Sequence, residues 1–205
     1  MKDLVTRLEE IKQEAAPLVE SRWLEFEKLR EEGTEEELFS EISFCVLTAN
    51  WSAQGGIKAQ KIIGTGFSTL SEEELVAELR KVGHRYPESR ARFIIQNRWV
   101  IGKIREKLSE EDPREFFVNN IKGLGWKESS HFLRNVAFEK YAILDKHILR
   151  MMLQYRLIEE LPKGWTKKKY LDYEERLKIV ADAFGEPLGK FDLYAWYMIK
   201  KTVDK

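Results

Sequence analysis

The chain has 205 residues and a mass of 24.2 kDa, with 35 Lys and Arg balancing 35 Asp and Glu, and 43% of it is hydrophobic. That composition excludes a bulk polycation and a disordered tail, and the single cysteine excludes a disulfide framework or a four-thiolate metal site. No apolar run approaches membrane-spanning length and the N-terminus lacks a cleavable apolar stretch, so the expected setting is the reducing cytoplasm. The balance of charge hides an uneven distribution. Residues 1–41 hold 6 basic and 13 acidic side chains, whereas residues 85–107 hold 7 basic and 2 acidic, and residues 140–170 hold 8 and 3. Such runs are either solvated helix faces or one surface suited to a polyanion.

Almost every segment reads as helix. Residues 3–31 carry Leu4, Leu8, Ile11, Leu18, Trp23 and Phe26 at near-helical spacing, with Pro17 as a break or kink. Residues 35–48 are apolar all round, which predicts a central helix with Cys45 as a small core residue rather than a nucleophile. Ser71 and Glu74 form a capping box for a helix to Lys81, and residues 87–108 predict one further helix. Asp112 and Pro113 read as N-cap and first helical residue of a short helix to Ile121. Thr166 caps a long helix ended by Gly185, and residues 189–201 form the last. With no sustained strand alternation and no repeats, the expected fold is one compact all-α unit.

Residues 121–130, IKGLGWKESS, place two glycines around one apolar residue just before a new helix. Gly123 and Gly125 allow a tight turn and a close backbone approach, and the amides opening the next helix offer a seat for phosphate. This is a helix-hairpin-helix pattern, although a plain αα-turn would also account for it. Two more residues sharpen it. Lys127 falls in the first turn after the hairpin, where the helix dipole disfavours its protonated form, as a nucleophilic amine requires. Asp145 can cap the amphipathic helix that follows it, which favours the carboxylate. A helix from Trp126 to about Phe138 rises roughly 18 Å, and the extended return through Leu144 can cover roughly 20 Å, so the two could meet. A solvated lysine and a simple N-cap fit the spacing equally well.

The stretch from Ile121 to Met151 resembles the hairpin and acid loop of the helix-hairpin-helix DNA glycosylase superfamily, where the hairpin reads L-P-G-V-G-x-K-T-A and the acid loop V-D-T-H-V/I. Lys127 matches the lysine, and Leu144-Asp145-Lys146-His147-Ile148 matches the acid loop. Residues 47–54, LTANWSAQ, are similar to the segment leading into the DNA-facing loop, and residues 77–101 to the segment with an R-A-R-aromatic signature. Over nearly the whole chain the sequence is similar to the compact archaeal-type 8-oxoguanine DNA glycosylase/lyases. It departs from the pattern at Lys122, where the superfamily has proline, and lacks the cysteines of the iron-sulfur branches.

The resemblance implies two helical lobes with a DNA-binding cleft, a hairpin at about 114–136, and an acid loop and helix at about 139–154. It implies a bifunctional enzyme in which Lys127 attacks C1′ of a flipped 8-oxoguanine nucleotide, Asp145 stabilises the sugar cation, and a Schiff base leads to β-elimination. Lys122, Gly123 and Gly125 would hold phosphate. Arg85 and Tyr86 are candidates for the wedge, Asn50 for the estranged cytosine, and His147 for supporting Asp145 or approaching DNA. Trp196 would line the base pocket, and the terminal Lys205 would reach the modified base. The expected partner is damaged duplex DNA, bound by a monomer with no membrane involved. No cofactor is required, a monovalent cation at the hairpin carbonyls being the one candidate, and His84 and His131 have no metal-site spacing. The alternatives are a glycosylase of the same superfamily for another lesion, a noncatalytic hairpin module, and an all-α scaffold.

Overall fold

The computed structural model describes residues 2–205, which form twelve α-helices and one short 3-10 turn with no strand among the described residues. The chain divides into two compact units. One takes the chain up to Glu27 and again from Leu133 to Lys205, and the other runs unbroken from Lys28 to Phe132.

Helix α1 (Lys2–Glu32) continues through Pro17 instead of ending there. Its buried stripe, Leu4, Leu8, Ala15, Val19, Trp23 and Phe26, extends on both sides of the proline. Burying five large apolar side chains at roughly 2 kcal/mol each outweighs the ~3 kcal/mol a mid-helix proline costs.

In the continuous unit, α2 (Glu35–Thr48) is the central helix, opened by a capping box between Thr34 and Glu37. Leu38, Phe39, Ile42, Phe44, Cys45, Val46 and Leu47 are all buried, Cys45 among them as a small core residue. Helices α3 (Ala53–Ile63), α4 (Gly66–Thr69) and α6 (Pro87–Asn97) pack on it, and α5 (Glu72–Lys81), opened by the Ser71–Glu74 capping box, packs on α6 and α3.

The single helix expected over residues 87–108 is instead interrupted. After α6 the chain makes a 3-10 turn at Arg98–Val100, turns at Gly102 with φ of 86°, and resumes as α7 (Ile104–Leu108). Glu35 fixes where α7 starts. Its carboxylate accepts from the amides of Gly102, Ile104 and Arg105 at 2.8, 3.0 and 2.9 Å, an internal anion at the start of the new helix. Arg105 in turn donates to the carbonyls of Arg30 and Gly33.

Helix α8 (Arg114–Asn120) has Pro113 in the N-cap position rather than Asp112, with no side-chain cap bond. Helix α9 (Trp126–Asn135) stops three residues earlier than expected, where Ala137 adopts φ of 56°. The discontinuous unit adds α10 (Lys146–Gln154), α11 (Lys167–Phe184) and α12 (Leu188–Lys200). Thr166 caps α11 and Gly185 ends it at φ of 81°, as the sequence predicts.

Candidate active site

The continuous unit carries the hairpin between α8 and α9. Ile121 and Leu124 are buried and anchor it, leaving Lys122 and Gly125 exposed. Gly123 has φ of 86°, and a Cβ there would meet Phe93 at 3.0 Å and Val46 at 3.3 Å, so both backbone and space demand glycine. Asn97, at the end of α6 and almost wholly buried, grips the hairpin from behind. Its side chain accepts from the Lys122 amide at 2.8 Å and donates to the Lys122 carbonyl at 2.9 Å.

Lys127, on the first turn of α9, is half-buried with Nζ 3.2 Å from Oε1 of Glu128. The other oxygen, Oε2, accepts from the Gly125 amide at 3.3 Å. Thus an internal carboxylate occupies one amide of the expected phosphate seat and pairs with the expected nucleophile.

Two loops of this unit are tied together. His84, buried, donates from Nε2 to the Leu47 carbonyl at 3.0 Å, and its Nδ1 accepts from the Tyr86 amide at 3.0 Å, which assigns the neutral ring. Its ring packs on Trp51 with centroids 4.4 Å apart. Arg90 donates to the Ala49 carbonyl at 2.8 Å. Asn50, exposed with φ of 66°, is therefore fixed next to the turn that presents Arg85 and Tyr86. Tyr86 is 41% exposed with the Arg85 guanidinium 5.1 Å from its ring centroid, an arrangement open to a partner.

Burial pushes His84 below its ordinary 6.5, with the Leu47 carbonyl pulling it up and Arg90 adding to the fall. The unfolded chain therefore takes this proton at a higher pH than the folded one. His84 contributes stability that is full above about pH 6.5 and is lost as pH falls toward the folded value. Urea unfolding across this range should show that loss in the wild type, and His84→Gln should remove that part of it.

The discontinuous unit carries Asp145 as the N-cap of α10. Its Oδ1 accepts from the amides of both His147 and Ile148 at 2.8 Å, while Oδ2 makes no hydrogen bond among the described residues. The segment leading to it is buried and held by α11. The Tyr170 hydroxyl donates to the Ala142 carbonyl at 2.8 Å and accepts from the Leu144 amide at 3.3 Å, and Glu174 accepts from the Ala142 amide at 2.8 Å. The result is a carboxylate with one fixed oxygen and one open one.

Beside it, His147 meets Trp196 edge to face, centroids 5.4 Å apart, and burial pushes the imidazole down against the pull of Asp145. The indole Nε1 of Trp196 is buried with no hydrogen-bond partner, a donor waiting for an acceptor. One turn earlier on α12, Asp192 lies 3.7 Å from Arg134 and is pushed up to about 6, by burial first and by Asp145 as well, with Arg134 opposing. The C-terminal tail is not frayed. Val203, Asp204 and Lys205 are half-buried, and Arg22 of α1 donates to the Val203 carbonyl at 3.3 Å.

Each unit thus assembles one set of expected residues. Lys122, Gly123, Gly125, Lys127, Asn50, Arg85 and Tyr86 belong to one, and Asp145, His147, Trp196 and Lys205 to the other. Sequence reasoning missed Asn97, Glu128, Tyr170 and Glu174. Only Glu128 left a local signal, three residues beyond Gly125 in the capping-box position. Among the described residues no three His, Cys, Asp or Glu side chains gather into a metal-binding group.

The family described as 8-oxoguanine DNA glycosylase matches residues 19–186. The 8-oxoguanine DNA glycosylase/AP lyase of Thermotoga maritima is 61% identical over 208 residues, covering 100% of both chains. That of Methanocaldococcus jannaschii is 43% identical over 199 residues, covering 95% of this chain and 96% of its own. The crystal structure of the Thermotoga maritima 8-oxoguanine DNA glycosylase is similar over 100% of both chains, with a TM-score of 0.98 and 60% identity. The structure of the Methanocaldococcus jannaschii glycosylase/lyase in complex with a 15mer DNA containing 8-oxoguanine matches 98% of this chain and 99% of its own, with a TM-score of 0.95 and 41% identity. A hairpin whose glycine geometry is required by its packing, a lysine one step beyond it, a pinned aspartate and this breadth of similarity lead to one conclusion: the chain belongs to the 8-oxoguanine DNA glycosylase family.

Proposed function

We propose that this protein excises 8-oxoguanine from duplex DNA and then cleaves the strand, with Lys127 as nucleophile and Asp145 as the electrostatic partner of the sugar. The observation that carries the assignment is the state of Asp145. With Oδ1 held by two amides and Oδ2 open, it is a fixed negative charge, which suits stabilising a cation better than shuttling a proton. Lys127 displaces the base at C1′, and the aminal opens to a Schiff base whose acidified C2′ proton is lost as the 3′ phosphate leaves. The exposed Lys122 and the Gly123 and Gly125 backbone hold a phosphate of the damaged strand. Asn50, Arg85 and Tyr86 enter the space the flipped nucleotide vacates, and His147 lies alongside the backbone near Asp145.

Trp196 and Lys205 recognise the base, the unpartnered indole N–H supplying a donor. The chemistry needs only an amine and a carboxylate, so no cofactor is invoked. We place a monovalent cation at the hairpin carbonyls only as an accessory to phosphate binding. The enzyme acts as a monomer on cytoplasmic DNA, and among the described residues no helix is long and apolar enough to cross a membrane.

Borohydride added during turnover of an 8-oxoguanine:cytosine duplex tests the scheme. A covalent protein–DNA adduct is expected, and base release without any adduct would remove the amine mechanism. A panel of duplexes carrying alkylated purines or oxidised pyrimidines separates the alternative lesions. Deleting Lys205 should lower 8-oxoguanine release about tenfold or more, the cost of one charged contact. Trapping on a preformed abasic site should change little, since no base remains to be read.

A further inference from the structure

Glu128 is the only carboxylate that directly contacts the Lys127 ammonium among the described residues, at 3.2 Å, and its second oxygen holds the Gly125 amide at 3.3 Å. Both side chains are largely shielded, at 24% and 16% exposure. The charged neighbours of this carboxylate are Lys127 on its own helix and Arg90 from α6, whose cation and Glu128 act on one another. Arg114 of α8 faces Trp126 and Ser130 on the same helix. Lys127 and Glu128 thus face one another at contact distance, and Arg90 adds a second cation to the surroundings of the carboxylate.

We propose that Glu128 is a catalytic residue of the excision reaction, taking the proton from the Lys127 ammonium when a DNA phosphate claims the Gly125 amide. The phosphate removes the hydrogen bond that favours the carboxylate and sets a like charge beside it, and both changes drive the carboxylate to take up a proton. The nearest proton is on Nζ. It passes to Oε1, and the freed lone pair forms the N–C1′ bond. The C1′–N bond to the purine breaks with its electron pair, and the departing purine takes the proton that Glu128 received. The amine nitrogen keeps the positive charge, so charge and protons balance. Labour is then divided between two carboxylates, Asp145 fixed for charge and Glu128 mobile for the proton. In the free enzyme the same contact protects the amine from stray electrophiles, because arming requires DNA.

This inference rests on Lys127 as the nucleophile, and the test separates the two. Base release from an 8-oxoguanine:cytosine duplex is followed in single turnover with saturating enzyme, from about pH 6 to about pH 8, for wild type, Glu128→Gln and Lys127→Gln, with borohydride trapping alongside. If the pair shares one proton, the reactive form is a constant fraction of it, and the wild-type rate stays within about threefold across the range. Glu128→Gln keeps the size and the acceptor for the Gly125 amide but cannot take the proton. Its rate should be lower at every pH and rise about tenfold per pH unit, roughly a hundredfold overall, as solvent removes the proton instead. Parallel profiles for wild type and Glu128→Gln would overturn the role of Glu128 while leaving Lys127 in place. An adduct persisting in Lys127→Gln would overturn the nucleophile and this inference together. Saturating enzyme removes weakened binding from the comparison, and a Glu128→Ala profile with the same slope as Glu128→Gln supports the proposal independently of the amide contact.

Discussion

Lys127→Gln is expected to abolish the borohydride-trapped adduct and to slow base release by at least about 10⁴-fold, as loss of a covalent nucleophile does. Glutamine fills nearly the same half-buried space, can still meet Glu128, and leaves the Gly123 turn and the Asn97 clamp untouched. Stability should therefore stay within about 0.5 kcal/mol of wild type. Duplex affinity should fall only by the share of one positive charge, visible as a slightly shallower dependence on salt. A variant that binds, folds and neither releases base nor cleaves would place the reaction on this one nitrogen. Continued strand cleavage with no trapped adduct would place it elsewhere.

Asp145→Asn separates capping from chemistry. Asparagine caps a helix about as well as aspartate, so the contacts to the His147 and Ile148 amides survive and the melting temperature should shift little. What is lost is the negative charge beside the developing sugar cation, and single-turnover base release should drop about 10³-fold. Trapping on a preformed abasic aldehyde should drop far less, because imine formation there passes through no oxocarbenium ion. Equal losses on both substrates would assign Asp145 to proton transfer, and a large loss of stability would mean that the cap contacts had failed.

The parts of the site that the sequence discloses are those built from near neighbours. Asp145 announces itself as a cap because the amides it binds are two and three residues away, and Gly123 as a turn because its backbone conformation is a local requirement. The same holds for the Ser71 box and the Gly185 stop. Contacts that join distant positions leave no such trace. Asn97 reaches Lys122 across 25 residues, Tyr170 reaches Ala142 across 28, and Glu35 reaches the amides that start α7 across about 70. That last contact fixes where α7 starts after the Gly102 turn, and a pattern confined to residues 87–108 holds the glycine but not the carboxylate that binds there. At Pro17, where the local rule allows a break or a kink, the helix does not break, because an apolar stripe runs on both sides of the proline.

The division of the chain also orders its birth. Residues 28–132 are contiguous, so the unit with the hairpin and Lys127 holds all its own segments once the ribosome has passed Phe132. The other unit joins α1 to segments that follow Phe132, and Arg22 of that helix holds the Val203 carbonyl. Its α1 segment must wait, with its apolar stripe uncovered, for residues made only after the whole of the continuous unit. A nascent chain can thus hold every segment of the lysine-bearing unit before the segment with Asp145 has been made.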